Sequence, residues 1–320
     1  MIVSLVHWKN RYIPALKELL CEKIYECRDR QEALRVLPDA DIVITFGGGD
    51  GDYAIPIDGE MLAAAHGLRL VLSLSSGVEK LPMQALREKN VAVCNSRGAH
   101  GVSIAEYVLG GMLVMSHHFH QFLRSQEQSR WKPIVRGEDL EGGTLCVIGA
   151  GSIGREIARK AKAFDMNVIG IKRRPEPVCG FDRVWGADRL HEALALSDYV
   201  VMVAPLTSET YHMMGEAEFR RMKETAIFIN VSRGDTVDES ALIRALTEKT
   251  IAGAVLDVFH EEPLPPESPL WGMENVLVTP HCSGPTKNTQ RKTIRLIYDN
   301  IVRYRQGGEL INLFAENQTY

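Results

Sequence analysis

Three short segments hold the side chains best able to act together. Ile229-Asn230-Val231-Ser232-Arg233-Gly234 carries a guanidinium. Leu256-Asp257-Val258-Phe259-His260-Glu261-Glu262-Pro263 carries carboxylates. Thr279-Pro280-His281-Cys282-Ser283-Gly284 carries an imidazole. Each segment closes a short apolar run that reads as a strand. Open α/β sheets bind ligands beyond the carboxyl ends of their strands. A planar cation such as Arg233 grips a carboxylate in two places. An imidazole such as His281 gives a proton near neutral pH to an oxygen that is gaining charge. A carboxylate beside it favours the charged ring and orients it, which is the part expected of Glu262. That set matches the needs of reducing a 2-keto acid.

A glycine-rich turn supplies the complementary half. Val147-Ile148-Gly149-Ala150-Gly151-Ser152-Ile153-Gly154-Arg155 has the G-x-G-x-x-G spacing, directly after an expected strand and opening an expected helix. Gly149 allows the tight turn, Gly151 lets backbone approach a pyrophosphate, and Gly154 lets helix and strand pack closely. The helix start offers unsatisfied N–H groups and partial positive charge to phosphates. The next expected strand runs into Lys172-Arg173-Arg174. NAD-binding chains usually carry a carboxylate there for the ribose 2′-hydroxyl. Three cations pair with a 2′-phosphate instead, so NADPH is expected over NADH. A solvated basic turn that accepts both cofactors is the alternative.

The elements that must position these groups alternate strand and helix. Strands are expected at Ile2–Val6, Ile42–Phe46, Arg69–Leu74, Val91–Cys94, Thr144–Ile148, Asn167–Ile171, Tyr199–Val203, Ala226–Asn230, Gly253–Leu256 and Val276–Thr279. Helical segments lie between them, which argues for parallel sheets covered on both faces. Ser103–Ser125 reads as one long apolar helix, and a closing helix is expected over Thr286–Gln306. Four prolines in Glu261–Pro269 require an extended loop.

With these motifs in hand, the chain resembles the D-isomer-specific 2-hydroxyacid dehydrogenases of the glyoxylate/hydroxypyruvate reductase kind over essentially its whole length. The resemblance rests on Gly149–Gly154, Pro205-Leu206-Thr207, Asn230–Gly234, Asp257–Pro263 and Thr279-Pro280-His281. It implies an α/β fold of two Rossmann-like lobes with a cleft between. A flavodoxin-like substrate-binding (catalytic) lobe would comprise residues 1–100 plus 286–320. A doubly wound dinucleotide-binding lobe would comprise 101–285. By the same resemblance Arg233, Glu262 and His281 are catalytic, with Glu262 preferred to Glu261 because it directly precedes the proline. The substrate would meet Arg233, His281 and the backbone amides of Ser76, Gly77 and Val78. NAD or NADP would be held by Ser103, Gly149, Gly151, Ser152, Ile153, Gly154, Lys172, Arg173, Arg174, Pro205, Thr210, Val231, Arg233, Asp257 and His281, with Asp257 on the nicotinamide carboxamide. Cys282 and Ser283 depart from the small or apolar residues commoner after the His. A homodimer through the long helix and the nucleotide lobe is also implied. A nucleotide-sensing corepressor-like module on the same scaffold is the alternative from another class.

Composition bounds the rest. The 320 residues carry 37 Lys and Arg against 41 Asp and Glu, a net charge of −4, which argues against a nucleic-acid partner. Hydrophobic residues at 45% and charged residues at 24% exclude wholesale disorder. The start, Met1-Ile2-Val3-Ser4-Leu5-Val6-His7-Trp8-Lys9, reads as a buried strand rather than a signal peptide, and no run reaches membrane-span length. Six cysteines without a C-x-x-C pair suggest buried reduced thiols in a cytoplasmic protein. His117 and His120 share a helical face but lack further ligands nearby, so no metal is expected. Gly47–Tyr53 lacks the acidic spacing of a calcium loop; it suits a loop closing over substrate, with Tyr53 touching it. Trp131 and Trp271 fit core, interface or pocket wall equally well.

Overall fold

The computed structural model describes residues 1–6, 12–48, 54–131 and 136–314. In chain order its first elements are β1 (Ile2–Ser4), α1 (Tyr12–Leu19), β2 (Ile24–Glu26), α2 (Arg30–Val36), β3 (Ile42–Thr45), α3 (Gly59–Ala64), β4 (Leu70–Ser73), α4 (Met83–Glu88) and β5 (Ala92–Cys94). Then come α5 (Gly101–Ser116), α6 (Phe119–Glu127), β6 (Thr144–Ile148), α7 (Ser152–Lys162), β7 (Asn167–Ile171), β8 (Arg183–Trp185), α8 (Leu190–Leu196) and β9 (Tyr199–Met202). The last are α9 (Glu216–Phe219), β10 (Ile227–Asn230), α10 (Glu239–Thr247), β11 (Gly253–Leu256), β12 (Val276–Val278) and α11 (Lys287–Arg305). Met1–His100 and the chain from Pro285 form one compact unit; Gly101–Gly284 form another.

The first unit is built on a parallel sheet ordered β2-β1-β3-β4-β5, the flavodoxin-like order. Side chains alternate across it with the period of two that strands impose. Val3, Val43, Val71 and Val93 enter one core. Ile2, Ile42, Leu70 and Cys94 enter the other, where Ile294, Ile297 and Ile301 of α11 pack against them. Buried Asn300 fixes the chain after α11: its side chain accepts from the Ile311 amide at 2.7 Å and donates to the Ile311 carbonyl at 3.0 Å.

The second unit holds seven parallel strands in the order β12-β11-β10-β9-β6-β7-β8. Its order reverses between β6 and β9, the switch point at which doubly wound sheets bind nucleotides. Cys146, Ile148, Val200, Met202, Phe228 and Leu256 face one layer, and Leu145, Val147, Val201, Ile229 and Val255 the other. Burial on both faces explains why these strands read as unbroken apolar runs.

Three expectations need correction. The sheets hold two strands beyond those expected, β2 and β8. Both are three-residue edge strands with a polar residue inside, Ile24-Tyr25-Glu26 and Arg183-Val184-Trp185. The long helix Ser103–Ser125 is two helices. α5 stops at Ser116, and His118 takes a left-handed φ of 55°. The carbonyls of the last turn of α5 find new donors: Met115 accepts from the His118 amide, Val114 from Nδ1 of His120, and Ser116 from the Glu138 amide. A helix can end where its orphan carbonyls are satisfied in this way. The loop expected over Gly47–Tyr53 is described only at Gly47 and Gly48; Tyr53 lies outside the described residues. Cys27, Cys94 and Cys146 are buried, whereas Cys21, Cys179 and Cys282 are exposed, so burial applies to three of the six. Trp131 is 99% exposed, which removes it from the core.

Candidate active site

The turn after β12 is organised by one buried carboxylate. Asp257, at the end of β11, has no exposed surface. Its Oδ1 accepts from Thr279 Oγ1 at 2.6 Å and from the Cys282 amide at 2.8 Å. Its Oδ2 accepts from the Ser283 amide at 2.9 Å. Its backbone carbonyl accepts from the His281 amide at 2.8 Å. A buried carboxylate is tolerable only with such donors around it. Between them His281 sits at a φ of 50°. The left-handed region is uncommon outside glycine, and such positions persist where the surroundings over-determine them.

That turn delivers His281 to Glu262. Nδ1 of His281 donates to Glu262 Oε2 at 2.7 Å, and Glu262 Oε1 accepts from the Phe259 amide at 3.0 Å. Burial by itself would raise the Glu262 carboxyl. The His281 hydrogen bond and charge, the Phe259 amide and Arg233 outweigh it and hold the carboxyl below its usual value. The Glu262 hydrogen bond lifts His281 above the ordinary imidazole value, against burial and the nearby Arg233 charge. The charge of Arg233 also acts on both groups, lowering each. Gly234 makes this possible: a Cβ there would lie 2.0 Å from the Phe259 carbonyl carbon. Arg233 donates from Nη1 to the Ser232 carbonyl at 2.8 Å. Ser232 in turn donates to the carbonyl of Ala204, tying the ends of β9 and β10.

The glycine turn has the dimensions of a phosphate cradle. Gly149 has a φ of 112°, and a Cβ would lie 2.6 Å from the Ala204 nitrogen. At Gly154 a Cβ would lie 2.3 Å from the Gly149 oxygen, so close packing demands that glycine. At Gly151 a Cβ would meet nothing within 4 Å, so the protein's own packing does not require it. Glycine suits the N-cap position, and the open space leaves room for a group approaching from outside. Gly151 caps α7, and the amides of Ser152, Ile153 and Gly154 open that helix. The residues present therefore fit a dinucleotide.

Other expected site residues are placed as follows. Lys172 pairs with Glu176, and Arg173 pairs with Glu209 at 2.7 Å; Arg174 is exposed. Thr210 Oγ1 donates to the Pro205 carbonyl at 2.6 Å and accepts from the Thr207 amide at 2.8 Å, stapling the loop after β9. Val231 is buried, and its amide bonds the Met202 carbonyl. Ser103 Oγ donates to the Gly284 carbonyl at 2.8 Å. Ser76, Gly77 and Val78 belong to the first unit, after β4. There Ser75 Oγ accepts from the Gly47 and Gly48 amides at 3.0 and 2.9 Å and donates to the Gly77 carbonyl at 3.0 Å. Asn95 holds the Ser76 carbonyl at 2.8 Å. Trp271 is half exposed and donates to the Pro265 carbonyl. His120 spends Nδ1 on a helix carbonyl, and His117 stacks on Phe119. Among the described residues no three His, Cys, Asp or Glu side chains group as metal ligands, and no helix is long and apolar enough to cross a membrane. Tyr107, which the motifs did not single out, shares a 2.6 Å hydrogen bond with Thr279.

Comparison with known proteins decides the family. The D-isomer specific 2-hydroxyacid dehydrogenase, NAD binding domain, matches residues 109–283. A glyoxylate reductase of Korarchaeum cryptofilum (strain OPF8) is 32% identical over 310 residues, 94% of this chain and 86% of that one. The chain belongs to the D-isomer specific 2-hydroxyacid dehydrogenase family. A family member from Aeromonas salmonicida superposes with a TM-score of 0.84 at 30% identity, covering 98% of each chain. Another, from Xanthobacter autotrophicus Py2 and in complex with NADPH and MES, gives 0.81 at 28% identity and covers all of both chains. The protein is thus an NAD(P)-dependent oxidoreductase of this family, with the two parallel sheets of its fold.

The His281–Glu262 pair has a defined pH window. A raised imidazole adds stability fully below its ordinary 6.5 and loses it as pH rises through the raised value. A lowered carboxyl adds stability above its ordinary 4.5 and loses it as pH falls through the lowered value. The pair is complete between about 4.5 and 6.5. Replacing Glu262 by Gln is expected to lower the His281 ring pKa in an NMR titration. Urea unfolding should show a loss of about 1–2 kcal/mol, largest inside that window.

Proposed function

We propose that the chain reduces a small 2-keto acid, of the size of glyoxylate or hydroxypyruvate, to the D-2-hydroxy acid, and that it draws on NADPH in preference to NADH. The hydrogen-bonded His281–Glu262 pair within the field of Arg233 carries this reading. Hydride for the ketone carbon is what a bound reduced nicotinamide supplies. Arg233 holds the substrate carboxylate and ketone oxygen by charge-assisted hydrogen bonds and stabilises the charge that develops. His281 has Nδ1 committed to Glu262, so Nε2 gives the proton to the alkoxide and recovers it in the reverse direction. Glu262 fixes the ring and keeps the charged form available at neutral pH. The amides of Ser76, Gly77 and Val78 are the proposed further donors to the substrate carboxylate. Asp257 keeps an acceptor position on Oδ2 for the carboxamide, beside its structural role.

Lys172, Arg173 and Arg174 support the cofactor preference, since the residues that follow β7 are cations rather than the carboxylate that binds a ribose 2′-hydroxyl. The partners of Lys172 and Arg173 are exposed glutamates, and exposed ion pairs hold weakly in water. A doubly charged phosphate can displace them. The name of the Korarchaeum relative supports the substrate size class, and the NADPH in the Xanthobacter structure supports the cofactor.

Self-association of the second unit is proposed from its exposed apolar side chains Phe119, Phe122, Leu123 and Trp131. Light scattering is expected to give twice the chain mass; a single-chain mass removes that part. Turnover of a panel of 2-keto acids with each cofactor tests the rest. His281→Ala and Arg233→Ala are each expected to lower kcat/KM by roughly a hundredfold or more while nucleotide still binds. Wild-type turnover in either variant refutes its role. On the best substrate kcat/KM is expected to be higher with NADPH, and a ratio favouring NADH refutes the cofactor preference.

A further inference from the structure

Helix α5 holds the catalytic turn at both ends. Ser103 and Tyr107 are four residues apart and so lie on one helical face. Ser103 Oγ reaches the Gly284 carbonyl at 2.8 Å, at the far end of the turn. Tyr107 meets Thr279 Oγ1 at 2.6 Å, at the near end. The direction of the second bond follows from its neighbours. The Asp257 carboxylate only accepts, so Thr279 donates its proton to Oδ1. The Thr279 oxygen is then the acceptor, and the Tyr107 hydroxyl is the donor. Burial pushes the Tyr107 phenol up, which keeps that proton in place. The chain of donors thus runs from Tyr107 through Thr279 to Asp257. The same carboxylate takes the amides that flank and follow His281.

We propose that Tyr107 is a positioning residue for the reaction: through Thr279 and Asp257 it holds the turn in which His281 meets Glu262. This rests on the reading of His281 as the acid/base. Hydrogen bonds in a chain strengthen one another, so losing the first weakens the grip of Thr279 on Asp257. His281, in its left-handed conformation, then spends less time against Glu262. The charged groups acting on the ring are Glu262, Arg233 and Asp257. Of these, Glu262 contributes the hydrogen bond, so a looser turn lets the ring pKa fall. The protonated ring needed for ketone reduction is then lost at lower pH.

The test uses the full chain and the best substrate of the panel, with Tyr107→Phe, Thr279→Val, Thr279→Ser and the double variant Tyr107→Phe/Thr279→Val. Tyr107→Phe is expected to lower kcat about five- to tenfold, the scale of one buried hydrogen bond. The alkaline limb of its pH profile should move to lower pH, while cofactor affinity stays within about twofold. Thr279→Ser should restore near-normal turnover, and the double variant should be no worse than Thr279→Val, because both act through one chain. An unchanged kcat and alkaline limb in Tyr107→Phe overturns the proposal, as does multiplication of the two single effects. An NMR titration of the His281 ring separates this from the reading beneath it. If His281→Ala keeps its turnover, the acid/base reading falls. The ring pKa in Tyr107→Phe still decides the positioning claim: a fall supports it, and no change overturns it.

Discussion

A carboxylate with no exposed surface is costly unless donors surround it, and the donors that Asp257 recruits all come from the segment carrying the imidazole. Thr279, Cys282 and Ser283 each give a hydrogen to that side chain, and His281 gives its amide to the same residue's carbonyl. The requirement that one buried charge be satisfied therefore becomes the force that shapes a turn. A backbone conformation rarely adopted by side chains other than glycine is held there, and the ring is presented to Glu262 rather than left to search for it. The loops after β10 and β11 are kept in contact because Gly234 has no side chain to separate them.

The sheet sets where this can happen. Parallel strands end on one side, so the loops after β6, β9, β10, β11 and β12 share an edge. The order reverses between β6 and β9, which separates the α7 crossover from the later ones and opens a crevice at that edge. The glycine turn follows β6, and the stapled Pro205–Thr210 loop follows β9. The nucleotide-fitting turn and the hydrogen-bonded His281–Glu262 pair thus derive from the same topological fact.

What could be read in the residues, and what could not, divides along physical lines. Central strands such as β6, β7 and β11 were legible because burial on both faces leaves continuous Val, Ile and Leu. β2 and β8 were not, since an edge strand of three residues with Glu26 or Arg183 in it has no such signature. The glycine turn and the motifs around Arg233, Glu262 and His281 were legible because local spacing encodes them. The break after Ser116 was not: it depends on a histidine ring and a distant amide at Glu138 reaching the last carbonyls of α5. Spacing also shows three cations at 172–174 but not their glutamate partners, one of which is 36 residues on in sequence. Tyr107 carries no local signal for the same reason, as its partner is 172 residues away. The four-residue step from Ser103 was the one local hint.

The discontinuity of the first unit bears on how the polypeptide matures. Its sheet is complete once β5 is made, yet one apolar face waits for Ile294, Ile297 and Ile301, which are translated two hundred or more residues later. The uninterrupted stretch Gly101–Gly284 has all its own partners before α11 is synthesised. On the ribosome, the later-encoded unit can thus close first, while the earlier-encoded one keeps a greasy flank open to chaperones until α11 emerges.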